Sequence, residues 1–181
     1  MTGPQSFGFP PIVGKTPRVL ILGSLPSVRS IEKQQYYGHP QNGFWKIMQA
    51  LLGDTNTDRA DASYRQRTDL VKRSGIAVWD VLGQSVRPGS MDADIDVSTA
   101  EPNPLEAFLT THASIRLIAL NGRKAQQLFE RFVDLSAISR TVDRALLPST
   151  SPAYAAMSLT EKTERWRAAL EAYLPALQLE G

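Results

Sequence analysis

The chain has no cysteine and only two histidines, His39 and His112, among its 181 residues. Without a thiol, disulfides, thiol nucleophiles and cysteine-based zinc or iron–sulfur centres are excluded. A metal site built from other ligands needs clustered histidines or carboxylates. The one acidic cluster, Asp92-Ala93-Asp94-Ile95-Asp96, lacks the glycine and the terminal glutamate of a calcium loop, and it reads as a solvated acidic turn. No apolar run approaches the roughly 18 to 20 residues that a membrane-spanning helix requires. The segment Met1 to Pro11 is rich in Gly and Pro and lacks the basic-then-apolar order of a signal peptide. A cytoplasmic location is therefore expected. Charge of one sign is also scarce. Twenty Lys and Arg against eighteen Asp and Glu leave a net charge of +2. That balance permits a polyanionic partner without requiring one, so any such partner must be held by a local patch and by pocket chemistry.

What is present is enough for one domain, 1–181, with a sizeable core, since 42% of the residues are hydrophobic. Four short apolar runs stand out: Arg18 to Leu22, Gly75 to Trp79, Ile115 to Leu120 and Arg144 to Leu147. They are nearly continuous rather than alternating, as strands buried on both faces read. Helical patterns lie between them. Phe44 to Leu52 places Phe44, Ile47, Met48 and Leu51 on one stripe. Asp58 to Lys72 reads as a charged surface helix. Asn103 is a natural N-cap for Pro104 to Thr111, with proline at the first helical position. Arg123 to Val133 carries Ala125, Leu128, Phe129 and Phe132. A capping-box pattern at Ser158-Leu159-Thr160-Glu161 opens a last helix that runs to about Leu174 and stops at Pro175. Gly83 to Asn103 reads as a long loop, and loops of that length in compact domains are usually functional. The expected fold is α/β, with a central four-stranded parallel sheet covered by helices on both faces.

In such a sheet the strand ends converge on one edge, where open α/β folds place their sites. Each end here carries polar or turn residues. Gly23-Ser24-Leu25-Pro26-Ser27 follows the first strand and Trp79-Asp80-Val81-Leu82 closes the second. Asn121-Gly122-Arg123-Lys124 follows the third, and Pro148-Ser149-Thr150-Ser151-Pro152-Ala153-Tyr154 the fourth. A serine hydrolase would need a Gly-x-Ser-x-Gly elbow, and Gly23-Ser24-Leu25 lacks the second glycine. Gly14-Lys15-Thr16 has the tail of a phosphate loop without its first glycine, and it precedes its strand.

Three blocks together resemble the uracil-DNA glycosylase superfamily: Gly23-Ser24-Leu25-Pro26-Ser27, the ten residues from Tyr36-Tyr37-Gly38-His39-Pro40 to Gln41-Asn42-Gly43-Phe44-Trp45, and Leu147-Pro148-Ser149-Thr150-Ser151-Pro152-Ala153. Trp79-Asp80-Val81-Leu82 also fits. The pattern resembles most the hypoxanthine (deoxyinosine) DNA glycosylases, with mismatch-specific uracil glycosylases as cousins. The resemblance implies a three-layer α/β/α fold and a monomer that flips a deaminated base out of damaged DNA. It then hydrolyses the N-glycosidic bond and leaves an abasic site, without metal or cofactor. Hypoxanthine is the expected base and uracil the alternative. An alternative of another class is a non-catalytic DNA or nucleotide binder on the same fold.

The resemblance also implies roles for residues. Uracil-removing relatives carry Asp or Asn in the middle of the first loop, where it orients the attacking water. Here that position is Leu25, which can neither donate nor accept a hydrogen bond. The hypoxanthine family supplies its asparagine from the His-Pro-x-Asn element, which maps to Asn42. The same residue is well placed to cap the helix that follows. His39 is either a donor to the departing base or a loop anchor. Gly23, Ser24, Leu25, Tyr37 and Asp80 would surround the base, with Tyr37 stacking on it. Asp80 would accept the N1–H of hypoxanthine or cap a turn. Ser27, Arg29, Arg123, Lys124, Ser149 and Ser151 would meet the DNA backbone, and Pro152, Ala153 and Tyr154 would form a wedge.

Overall fold

The computed structural model describes residues 3–53, 62–89 and 91–178. The first half of the chain forms β1 (Gln5–Phe7), β2 (Val19–Gly23), α1 (Val28–Lys33), α2 (Phe44–Leu52), α3 (Tyr64–Arg73), β3 (Ile76–Asp80) and β4 (Leu82–Val86). The second half forms β5 (Glu101–Pro102), α4 (Leu105–Thr111), β6 (Leu117–Asn121), α5 (Arg123–Phe132), β7 (Asp143–Leu147), α6 (Leu159–Leu170) and α7 (Pro175–Gln178). The core is a four-stranded parallel sheet in the order β3-β2-β6-β7, flanked by helices.

The sequence dictates which strand lies in the middle. All five residues of β2 are buried. Each Val, Leu or Ile buried that fully contributes about 1.5–3 kcal/mol, and β2 pairs with a parallel strand on each side, β3 and β6. The register seats Leu20 between Ala77 and Ile118, and Leu22 between Trp79 and Leu120. It also pairs Gly23 with Asp80 and Asn121 with Leu147, so the strand ends form one polar edge. Helix α2 buries Phe44, Ile47, Met48 and Leu51, the stripe that the spacing predicts. It packs on α6 through an edge-to-face contact of Phe44 with Trp166, whose centroids are 6.2 Å apart. The capping box at Ser158 and Glu161 opens α6 as expected.

Some local expectations are corrected. The stretch read as a loop from Gly83 to Asn103 begins as strand β4, which pairs antiparallel with β1 and β5 in a small second sheet. Its burial is irregular, with only Leu82 and Ser85 fully buried and a register shift between Leu82 and Gln84, so it carries little apolar signal. Asn103 does not cap α4. Its amide donates to the carbonyls of Asp80 and Leu82, and Pro104 takes the capping position. Helix α6 ends at Leu170, and Pro175 opens the short α7. The charged helix starts at Tyr64, capped by Ser63 and Gln66, while 58–61 lie outside the described residues. Helix α1 was not expected. Among the described residues no helix is long and apolar enough to cross a membrane.

Candidate active site

The first loop is held from two sides. Gly23 and Ser24 accept backbone N–H bonds from Val81 and Leu82, so the β3–β4 junction lies along it. Ser24 Oγ donates to Asp92 Oδ1 at 2.6 Å, and Arg87 Nη2 donates to the Pro26 carbonyl. Leu25 is buried and joins the hydrophobic core while lining the cleft. Gly23 has a specific steric role. A Cβ there would lie 2.5 Å from Asp80 Oδ1 and 3.0 Å from the Tyr37 hydroxyl. Only a residue without a side chain lets those two groups approach the strand end.

The second block is fastened by aromatic groups. Tyr36 donates from its hydroxyl to the Pro10 carbonyl at 2.9 Å, and Trp45 Nε1 donates to the Tyr36 carbonyl at 2.8 Å. Tyr37 has φ +52° and stacks on Phe44, with centroids 4.0 Å apart. Asn42 Oδ1 accepts the Phe44 N–H at 2.9 Å. That bond fixes the amide plane and leaves the second lone pair of Oδ1 and the Nδ2 donors for other partners. His39 Nδ1 accepts the Gln41 N–H at 3.1 Å.

The loop after β7 closes the opposite wall. Asn121 and Thr150 exchange two hydrogen bonds at 3.0 Å, and Gly43 N–H donates to the Thr150 carbonyl at 2.9 Å. Trp166 Nε1 holds the Pro148 carbonyl, and the ammonium of Lys162 holds the Tyr154 carbonyl at 2.7 Å. Gly122, at φ +93°, lets Ser149 come close: a Cβ would meet that of Ser149 at 2.9 Å.

These three walls enclose a cleft of about 300 Å³ at the polar edge of the sheet, at the small end of ligand-sized cavities. Among the described residues, the buried side-chain polar atoms that lack a hydrogen-bond partner are the Tyr37 hydroxyl, Asp80 Oδ2 and Arg87 Nε. All three residues line this cleft. Buried orphans of this kind are rare and costly, so three in one cavity mark a place prepared for a polar ligand. Burial raises the Asp80 carboxyl to about 7. The charge of Asp92 adds to the shift and that of Arg87 opposes it. Burial, and then the Asp80 charge, push the Tyr37 hydroxyl up, so it stays protonated and can donate. Burial lowers Arg87, but a guanidinium remains a cation at any ordinary pH.

Of the residues singled out from sequence, Gly23, Ser24, Leu25, Ser27, Tyr37, Asn42, Asp80, Ser149, Ser151, Ala153 and Tyr154 come together around the cleft. The Ser27 hydroxyl also caps α1, and Ser149 and Ser151 each accept a backbone N–H two residues on. Pro152 and His39 line neighbouring depressions instead. Arg29 is exposed and paired with Glu32 at 3.3 Å, and Arg123 and Lys124 begin α5 outside the cleft lining. Sequence reasoning missed Arg87, Asp92 and Thr150, and it noted Asn121 without assigning it a role. Arg87 and Asp92 sit in the segment read as loop, where a lone charge gives no sign that it will be buried. Asn121 carried one signal, a polar residue ending an apolar strand. No group of three or more His, Asp or Glu among the described residues is arranged to hold a metal.

Comparison with known proteins gives a consistent picture. The family model "Uracil DNA glycosylase superfamily" matches residues 10–174. A hypoxanthine DNA glycosylase of Methanosarcina acetivorans is 35% identical over 161 residues, covering 89% of this chain and 95% of its own. One from Methanosarcina barkeri is 36% identical over 118 residues, covering 65% and 72%. The solution NMR structure of a candidate uracil DNA glycosylase from Methanosarcina acetivorans superposes with a TM-score of 0.74 at 33% identity, covering 98% of this chain and 99% of that one. The four parallel strands, the loops at their carboxyl ends and a match spanning most of its length make this chain a member of the uracil DNA glycosylase superfamily.

Proposed function

We propose that the protein is a monofunctional DNA glycosylase that takes a flipped hypoxanthine into the cleft and hydrolyses its N-glycosidic bond. The observation that carries this is the pairing of an oriented amide at the cleft wall, Asn42, with three buried unpartnered polar atoms on Tyr37, Asp80 and Arg87. The reaction needs little else. Water attacks C1′ of the sugar as the bond to the base breaks, and the water's oxygen becomes the hydroxyl of the abasic site. The departing base carries the electron pair and takes up a proton. Positioned water and donors facing the developing anion lower that barrier without a strong nucleophile. Asn42 holds the water through the free lone pair of Oδ1. Ionised Asp80 accepts N1–H, while the Tyr37 hydroxyl and Arg87 Nε–H are donors for the carbonyl beside it.

This edge discriminates. Hypoxanthine presents a donor next to an acceptor, whereas adenine reverses the order and would leave the buried groups unpaired. The two relatives named hypoxanthine DNA glycosylase, one of them matched over 95% of its length, support the purine over uracil. Damaged DNA is the partner, and the protein acts as a cytoplasmic monomer, a setting that suits a chain without thiols.

The test uses duplexes with a single deoxyinosine, deoxyuridine or deoxyadenosine, followed by alkaline cleavage of abasic sites. Strand scission is expected at deoxyinosine and not at deoxyadenosine. Absence of product from both deaminated bases overturns the reading. Asn42→Ala is expected to lower excision by about 10²–10³-fold, the scale for loss of one preorganised polar group, while duplex binding persists.

A further inference from the structure

Beside the cleft, sharing Tyr37 and Asn42 with it, lies a larger depression of about 630 Å³. Lys33 from the last turn of α1, Lys46 of α2 and Arg67 of α3 line it, and among the described residues no carboxylate does. The chain as a whole is nearly balanced in charge, so three cations around one concavity form a local excess. The ion pair found among the described residues is Arg29–Glu32, which leaves all three without a carboxylate partner there. Lys33 and Lys46 are exposed and Arg67 is half-buried. His39 lines it too. Its Nδ1 accepts the Gln41 N–H, which leaves Nε2 facing other partners. Lys46 also lines a third depression, shared with Lys162, Pro152 and Tyr154. A basic track therefore runs from α1 and α3, past Asn42, to the loop after β7.

A nucleotide held in the cleft belongs to a continuous strand, whose backbone must leave on both sides. The loop from Ser149 to Tyr154 borders one side, and this depression adjoins the cleft on the side of Tyr37 and Asn42. We propose that the depression is a phosphate groove that takes the phosphodiester backbone of the substrate strand on the Tyr37 and Asn42 side of the cleft, with Lys33, Lys46 and Arg67 as its cationic contacts. The identity of the polyanion rests on the glycosylase reading above. The residue types fit, since guanidinium and ammonium groups are the usual partners of phosphate oxygens.

The test is the salt dependence of binding to a duplex carrying a tetrahydrofuran abasic analogue, which needs no excision. Each phosphate contact adds about 0.9 to the slope of log K against log[NaCl]. Lys33→Ala/Lys46→Ala/Arg67→Gln is expected to reduce that slope by about 2–3. A charge-matched control at the opposite sheet edge, Lys15→Ala/Lys72→Ala/Arg116→Gln, is expected to leave it unchanged. Should Arg67→Gln unfold the protein, the exposed pair Lys33→Ala/Lys46→Ala still tests the groove, with a loss of about 2. A slope equal to that of the control overturns the proposal. Titration with inorganic phosphate is expected not to saturate. A saturable phosphate site in a protein whose duplex slope ignores the triple change also overturns it. Inactivity of the wild type on deoxyinosine and deoxyuridine would remove the glycosylase reading alone, because the slope is measured without catalysis.

Discussion

Asn42 stands one residue before the N-cap Gly43, and there the capping and the proposed water-holding roles, alternatives in the sequence, are compatible. Capping requires Oδ1 to face the Phe44 N–H, and water activation requires a carbonyl oxygen whose direction is fixed. One bond of 2.9 Å meets the first need and prepares the second. Asp80 shows a different economy. A carboxyl raised to about 7 is part neutral and part ionised at physiological pH, and the ionised form is the stronger acceptor for a ring N–H. The excision rate constant at low substrate, kcat/KM on deoxyinosine, is therefore expected to rise as pH passes upward through 7. Asp80→Asn keeps an acceptor oxygen that does not titrate. It is expected to retain part of the activity and to flatten that limb of the profile. A rising limb that survives in Asp80→Asn would assign the titration to another group.

At the scale of elements, the site consists of loops held by side chains from helices behind them. Lys162 is the clearest case. It is buried on α6, bonds the carbonyls of Tyr154 and Ser151, and lies over the Tyr154 ring at 5.1 Å. Lys162→Met fills much of the same volume and removes a cation already disfavoured by burial, so the melting temperature is expected to change little. The freed loop should cost roughly 10- to 100-fold in excision, the scale associated with misplacement at a reacting centre. Equal activity would show that the loop is held without it. The central strands and α2 were legible because period and burial agree in them: Val19 to Leu22 is continuous and inward, and Phe44, Ile47, Met48 and Leu51 share one face. The Asn42 and Tyr37 block was legible through its resemblance. Strand β4 was not, since Gly83, Gln84 and Ser85 have no apolar alternation and their pairing depends on β1, some eighty residues earlier. Arg87 was hidden for the same reason: its burial comes from the Pro26 carbonyl and the acids around it, all distant in sequence or silent in pattern.

For the molecule as a whole, the buried carboxyl links site chemistry to stability. The folded value of about 7 lies above the ordinary 3.8, so between those pH values the folded state holds more protons than the unfolded chain. The contribution of this group therefore falls as pH rises through that window, by roughly 4 kcal/mol in total. The unfolding free energy of wild type minus that of Asp80→Asn is expected to drop from pH 5 to pH 8 in denaturant titrations. A pH-independent difference would mean that Asp80 ionises freely in the fold. The chain's three tryptophans have a further use. Trp45 donates to the carbonyl of Tyr36, Trp79 to that of Phe9 and Trp166 to that of Pro148, so each indole is tied to a segment beside the site. Emission from the unlabelled protein thus reports the three anchors together. Single-tryptophan variants should resolve, in stopped-flow mixing with duplex, which wall of the cleft moves first when a nucleotide enters.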